Sequence, residues 1–131
     1  MSDFAKVKIS EVMTRAPRSI EPHQSLDVAR TWMDELKVRH LPVREAGKVV
    51  GIISDRDLGL MTGLKAKVST FKVEDAMISG VRTVAETSSV VDVAKEMLDH
   101  RIGSILVTGN DGALLGIFTD ADALRVLAGR I

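Results

Sequence analysis

The 131-residue chain is expected to adopt an α/β (α+β) fold, built from two β-α-β-β-α repeats packed sheet to sheet about a pseudo-two-fold axis. Three observations predict it. The sequence matches itself end to end, each copy contains a capped stretch of helical apolar period, and each copy then carries two short apolar runs joined by a glycine-containing turn. Placing residues 5–57 above 69–122 sets Met13 over Met77, Ser25-Leu26 over Ser89-Val90, Met33 over Met97 and Leu41-Pro42-Val43 over Ile105-Leu106-Val107, an offset of 64. One residue is inserted in Gly109-Asn110-Asp111-Gly112, and Gly51 to Asp57 then lies over Gly116 to Asp122. Such self-similarity marks a repeat architecture.

The elements follow in order within each copy. Arg18 to Glu21 and Arg82 to Ala85 are short extended pieces. Ser25 and Ser89 stand where a hydroxyl takes up a free N–H of a first helical turn. Beyond them Leu26, Ala29, Met33 and Leu36, or Val90, Val93 and Met97, recur at helical spacing. Leu41 to Arg44 and Val49 to Ser54 then pair around Gly47, as do Ile105 to Thr108 and Leu114 to Thr119 around Asp111-Gly112. A second helix carries Leu58 and Met61, or Leu124 and Leu127. The expected division is repeat 1 at 1–64, a lysine-bearing linker from Lys65 to Lys72, and repeat 2 at 73–131. A half of about 60 residues is marginal alone, so the copies are expected to need each other.

Composition narrows the function. With 18 basic and 18 acidic residues, the chain lacks the excess of cations that releases counterions from nucleic acid. Three Phe, one Trp and no Tyr leave little for bases to stack on. The absence of Cys removes thiolate catalysis and sulfur-ligated metals. No apolar run approaches the length of a membrane span, and Met1 to Lys6 has no signal-like apolar region, so a cytoplasmic, non-membrane protein is expected. His23, His40 and His100 have no second His or Cys at ligand spacing, so no metal site is assigned. Neither a nucleophile–base–orienter set nor a phosphate-cradling glycine loop with its lysine is present, so no catalytic residue is assigned and no cofactor is required.

The recurring Gly-Ile-x-(Ser/Thr)-Asp-x-Asp segment is where ligand chemistry is expected. Glycine inside a strand marks close approach of another backbone or of a ligand. The strand hands over to a helix start, which attracts anions, yet Asp57 and Asp122 would repel a phosphate placed beside them. A carboxylate there suits the vicinal diol of a ribose, with Ser54 or Thr119 beside it. The same spacing also fits a capping box, in which hydroxyl and carboxylate satisfy backbone donors. The two roles are compatible.

The tandem unit, Val12-Met13-Thr14 with Ala76-Met77-Ile78, Arg39 to Val43, and both Gly-h-h-(Ser/Thr)-x-x-Asp segments together resemble a CBS-domain pair, or Bateman module, over nearly the whole chain. The resemblance implies a regulatory module that binds adenosine-containing molecules such as AMP, ADP, ATP or S-adenosylmethionine in clefts between the copies, without catalysis. It also implies a homodimer, and a change of shape passed to an effector protein. Carried over residue by residue, the first cleft would hold ribose on Asp57, with Ser54 on sugar or phosphate and Pro17, Arg18, Val38 and Ile52 around adenine. The second would use Asp122, Thr119, Val81, Arg82, Ile102 and Ile117. Arg39, His40 and Arg56 are candidate phosphate partners, but copy two has Gly103, Ser104 and Ala121 in their places. The clefts are therefore expected to be chemically unequal: either His40 reaches across to serve Asp122, or Arg39 and Arg56 serve their own copy. A competing reading is a scaffold that binds no ligand and serves dimerisation. Met13, Met33, Met77 and Met97 are expected to be core fillers. Trp32, whose counterpart is Glu96, either covers its own helix or marks a contact between protomers.

Overall fold

A computed structural model describes residues 4–63 and 71–129. The expected linker lies outside these residues except at its end. A 3-10 turn at Phe4–Lys6 is followed by α1 (Ile9–Val12), β1 (Thr14–Arg15), α2 (Leu26–Leu36), β2 (His40–Glu45), β3 (Lys48–Ser54) and α3 (Asp55–Gly63). Then come α4 (Val73–Ala76), β4 (Ile78–Ser79), β5 (Thr83–Ala85), α5 (Val90–His100), β6 (Ser104–Thr108), β7 (Leu114–Thr119) and α6 (Asp120–Leu127).

The long helices start where the serines predict. Ser25 Oγ accepts from Val28 N at 3.4 Å and Ser89 Oγ from Asp92 N at 3.0 Å, each satisfying a donor that the first turn leaves open. Their buried residues, Leu26, Ala29 and Met33 in α2 and Val90, Val93 and Met97 in α5, belong to the apolar period, but Leu36, the last of the period in α2, is exposed because it sits at the helix end. Both helices end on a left-handed residue, Lys37 (φ 57°) and Arg101 (φ 54°), a position more often given to glycine. The β2–β3 hairpin turns through Ala46 (φ 51°) and Gly47 (φ 79°), two successive positive φ values that match the right-handed twist of the flanking strands.

The division into folded units differs from the division into sequence repeats. One unit is Arg18–Val81, and the other joins Met1–Pro17 to Arg82–Ile131. Each unit has therefore taken the opening segment of the other repeat.

In the unit 18–81 the sheet order is β2-β3-β4, with Ile20 bridging Val43 in parallel at the outer edge of β2. The borrowed strand β4 sets Ile78 opposite Ile52 and Ser79 opposite Gly51. The borrowed α4 is stitched to the start of α2, because Leu26 N donates to Phe71 O and Val73 N to Gln24 O, at 3.1 and 2.8 Å. Ile20, Leu26, Ala29, Met33, Leu41, Val43, Ile53, Leu58 and Val73 make its core.

The other unit repeats this with a four-stranded sheet, β1-β7-β6-β5, in which β5 and β6 are parallel. Thr14 faces Ile117 and Arg15 faces Gly116. Ile9 N donates to Ser88 O and Val90 N to Val7 O, at 2.7 and 2.8 Å. Its core is Ile9, Met13, Val90, Val93, Met97, Ile105, Val107 and Phe118. Burying an aliphatic or aromatic side chain of this size contributes about 1.5–3 kcal/mol, so Ile9, fully buried, ties the opening segment firmly to the unit.

The strand glycines now have a cause. A Cβ on Gly51 would lie 2.6 Å from Ile78 O, and one on Gly116 2.8 Å from Thr14 O and against Met13. Of the two causes glycine admits, close approach of a backbone is the one observed, from the borrowed strand. Met13, Met33 and Met97 are buried and Met77 packs against the first core, as expected of fillers.

Candidate functional site

Each unit brings one Ser/Thr–Asp pair to the end of its central hairpin. In the unit 18–81, β3 ends at Ser54 and α3 begins at Asp55. Asp55 N donates to Arg39 O at 2.9 Å, which anchors the helix start to the entrance of β2. The Asp57 carboxylate accepts from Ser54 N at 2.8 Å and from Ser54 Oγ at 2.9 Å, both at Oδ2, and Asp57 N lies 3.2 Å from Ser54 Oγ. This is a reciprocal cap. Among the described residues none donates to Asp57 Oδ1, and the side chain is half-buried.

The other unit has the same arrangement at β7 and α6. Asp120 N donates to Gly103 O at 3.0 Å. Thr119 N and Oγ1 converge on Asp122 Oδ2 at 2.9 and 3.2 Å, and Asp122 N lies 3.4 Å from Thr119 Oγ1. Here Oδ1 is engaged too: Arg125 Nη1 lies 2.6 Å from it and Thr14 Oγ1 donates at 3.4 Å. Among the described residues Asp122 is the one charged residue that is buried, 4% exposed. A buried carboxylate needs such partners to offset lost hydration.

The remaining expected residues are distributed as follows. Ile52 (8% exposed) and Ile117 (6%) sit two residues before Ser54 and Thr119, beside the borrowed strands. Val38 follows the end of α2 and donates from its N–H to Met33 O at 3.0 Å, and Ile102 does the same to Met97 O at 3.0 Å. Val38 is exposed, whereas Ile102 packs against its core. His40 opposes Ser54 across β2 and β3, and Arg39 and Arg56 are exposed.

Pro17 falls in the unit of Asp122 and Arg18 in that of Asp57, while Val81 closes the unit 18–81 and Arg82 reopens the other. Arg18 and Arg82 are both engaged with the long helix of their own copy. The Arg18 guanidinium lies 4.1 Å from the centroid of Trp32 in α2, and Arg82 pairs with Glu96 of α5 at 3.4 Å. Trp32 is half-buried and packs against the first core.

Thr14 and Arg125 were missed as site residues by the sequence reading. A signal existed for both: the counterpart of Thr14 in copy two is Ile78 and that of Arg125 in copy one is Leu60, in each case a polar residue facing an apolar one beside an otherwise matching motif.

An open cavity of about 560 Å³ in the unit 18–81 is lined by Ser19, His23, Trp32 and Arg44 and reaches the Ala46-Gly47 turn. It lies at the opposite end of β3 from Ser54, and neither Ser54 nor Asp57 lines it. Among the described residues no group of three His, Asp or Glu is arranged to hold a metal ion, and no helix is long and apolar enough to cross a membrane.

Two copies of a hydroxyl–carboxylate cap, each beside a strand borrowed from the other repeat, define a duplicated module. The family model for the CBS domain matches residues 9–58 and 73–129, and the chain belongs to that family. Over 120 residues it is 32% identical to homoserine O-acetyltransferase of Methanococcoides burtonii; the match takes in 91% of this chain but 24% of that relative, so the chain spans about a quarter of its length. Among solved structures, CBSX2 of Arabidopsis thaliana is 26% identical with TM-score 0.79, covering 94% of this chain and 97% of that one, and has been solved in complex with AMP. The CBS domain pair of protein MJ0100, in complex with 5′-methylthioadenosine and S-adenosyl-L-methionine, is 25% identical with TM-score 0.87, covering 95% and 98%.

Proposed function

We propose that this chain is a regulatory ligand-sensing module that binds adenosine-containing nucleotides and performs no catalysis of its own. Asp57 and Asp122 receive the ribose diol, and Ser54 and Thr119 hold those carboxylates in position. The observation that carries the reading is the geometry at Asp57: one carboxylate oxygen is fixed by the cap, and no described residue donates to the other. A vicinal diol presents two O–H donors to such an acceptor. The capping role and the ligand role thus use different oxygens of one side chain. AMP, 5′-methylthioadenosine and S-adenosyl-L-methionine in the similar structures share adenosine's ribose, which supports this class.

Of the other expected residues, Ile52 and Ile117 would line an apolar base; their apolar side chains two residues before the hydroxyl support that role. Arg39, His40 and Arg56 are the phosphate partners proposed for ligands that carry one. Arg18 and Arg82 contribute through the helices they are engaged with. Occupancy shifts the equilibrium between two arrangements of the module by no more than its differential affinity for them, and a homodimer or a separate effector protein reads that shift in the cytoplasm. Calorimetric titration with AMP, ADP, ATP, NADH and S-adenosylmethionine tests the reading. Saturable heat from at least one, lost in a folded Asp57→Ala/Asp122→Ala double variant, is the expected result.

The second reading, a dimerisation scaffold without ligand, is favoured by the outward-facing Leu124 and Leu127 of α6 and Leu98 of α5, which are 66%, 70% and 78% exposed. Silence from all five ligands combined with a stable dimer would select it.

A further inference from the structure

The two carboxylates that the proposed function treats alike have different surroundings, and the difference is built into the sequence. At Asp122, Oδ1 is held by Arg125 from the next turn of α6 and by the Thr14 hydroxyl on the borrowed strand β1. The matching residue of α3 is Leu60, three positions after Asp57 as Arg125 is after Asp122. The matching residue of the borrowed strand is Ile78, which faces Ile52 as Thr14 faces Ile117. Neither apolar side chain donates a hydrogen bond, and both are exposed, Leu60 at 64% and Ile78 at 57%. One carboxylate therefore has an open acceptor oxygen, whereas the other is closed by a cation and a hydroxyl.

From this we infer that Asp57 is the tighter nucleoside acceptor and that Arg125 guards Asp122, so that a diol reaching Asp122 must first displace the guanidinium. The inference rests on the nucleoside reading and adds which site fills first and which residue decides it. Charge-assisted hydrogen bonds to a buried carboxylate are stronger than those from a neutral hydroxyl, so exchanging Arg125 for a diol is unfavourable at that oxygen. Because the Arg125 side chain is 55% exposed, solvent screens the pair and its displacement is a modest handicap, not a bar. A handicap of this kind amounts to roughly two- to fivefold in affinity.

Calorimetric titration with adenosine and with AMP, on the wild-type chain and four single variants, tests the inference. Adenosine isolates the diol from any phosphate contact. Asp57→Asn leaves an amide oxygen for the cap but turns an N–H₂ toward the diol, and is expected to remove the tighter binding class; Asp122→Asn is expected to remove the weaker one. Arg125→Leu, which copies the residue found in copy one, is expected to tighten the weaker class about two- to fivefold for both ligands. Leu60→Arg, which installs the guard over Asp57, is expected to weaken the tighter class by a similar factor. Both exchanged positions are exposed, and melting temperature verifies that each variant is folded. Loss of the tighter class in Asp122→Asn overturns the inference. So does an Arg125→Leu effect that is absent, or that weakens AMP alone, which would make Arg125 a phosphate ligand. If neither ligand binds the wild type or any variant, the nucleoside reading itself fails.

Discussion

The Thr14 hydroxyl donates to Asp122 Oδ1 at 3.4 Å across a separation of 108 residues, so the start of the chain supplies a partner to a carboxylate near its end. The opening segment of each repeat completes the other's sheet, and that of the first also reaches the Thr119–Asp122 cap.

Gly51→Ala and Gly116→Ala are expected to destabilise the protein by about 1–3 kcal/mol each, because an added methyl must displace backbone as well as a methionine side chain. At Gly51 the obstacle is Ile78 O, and at Gly116 it is Thr14 O together with Met13. Urea denaturation of the two variants reads the loss; an unchanged midpoint in both would contradict the close approach.

Removing residues 1–15 takes away β1 and α1 and uncovers the β7 edge. Amide exchange is expected to rise sharply in the variant at Gly116 and Ile117 and at Val90, whose N–H donates to Val7 O, while Ile52 and Ile53 stay protected. Uniform protection in the shortened chain would show that the segment is not part of that unit.

Phe118 has no exposed surface and is the largest fully buried side chain among the described residues. Phe118→Ala is expected to cost about 3–5 kcal/mol, read from the shift in denaturation midpoint at constant slope. A cost below 1 kcal/mol would mean the core collapses around the gap.

Ser89→Ala removes the cap of α5 and is expected to cost about 1 kcal/mol, with the comparable Ser25→Ala effect on α2 providing an internal check. Thermal melts followed by circular dichroism suffice. Gains in stability from either substitution would remove the hydroxyl from the account of the helix start.

Much of this architecture was legible because local rules agree with one another. The serine caps, the apolar periods of α2 and α5 and the glycine turn between β2 and β3 each depend on residues within a few positions. The exchange of opening segments was not legible. Met13-Thr14 and Met77-Ile78 occupy the same place in two nearly equivalent copies, and each meets a strand with the same Gly-Ile pattern, so sequence offers either strand as partner. The expected boundaries of 1–64 and 73–131 follow the repeats, whereas the folded units follow the pairing.

The candidate site divides in the same way. The Ser54–Asp57 and Thr119–Asp122 pairs were readable from spacing alone. The engagement of Arg18 with Trp32 and of Arg82 with Glu96 was not, since each pair joins residues 14 positions apart whose contact depends on how the helix lies over the preceding extended piece. The partners of Asp122 Oδ1 also escaped, because Thr14 reaches it only through the exchanged strand.

Comparing AMP with its 2′,3′-dideoxy analogue on the wild-type chain in one calorimetric series tests most directly whether a ribose diol meets these carboxylates. Loss of two hydroxyls facing an acceptor leaves that acceptor unpaired, so the analogue is expected to bind at least about tenfold more weakly. Equal affinities for the two compounds would contradict the claim.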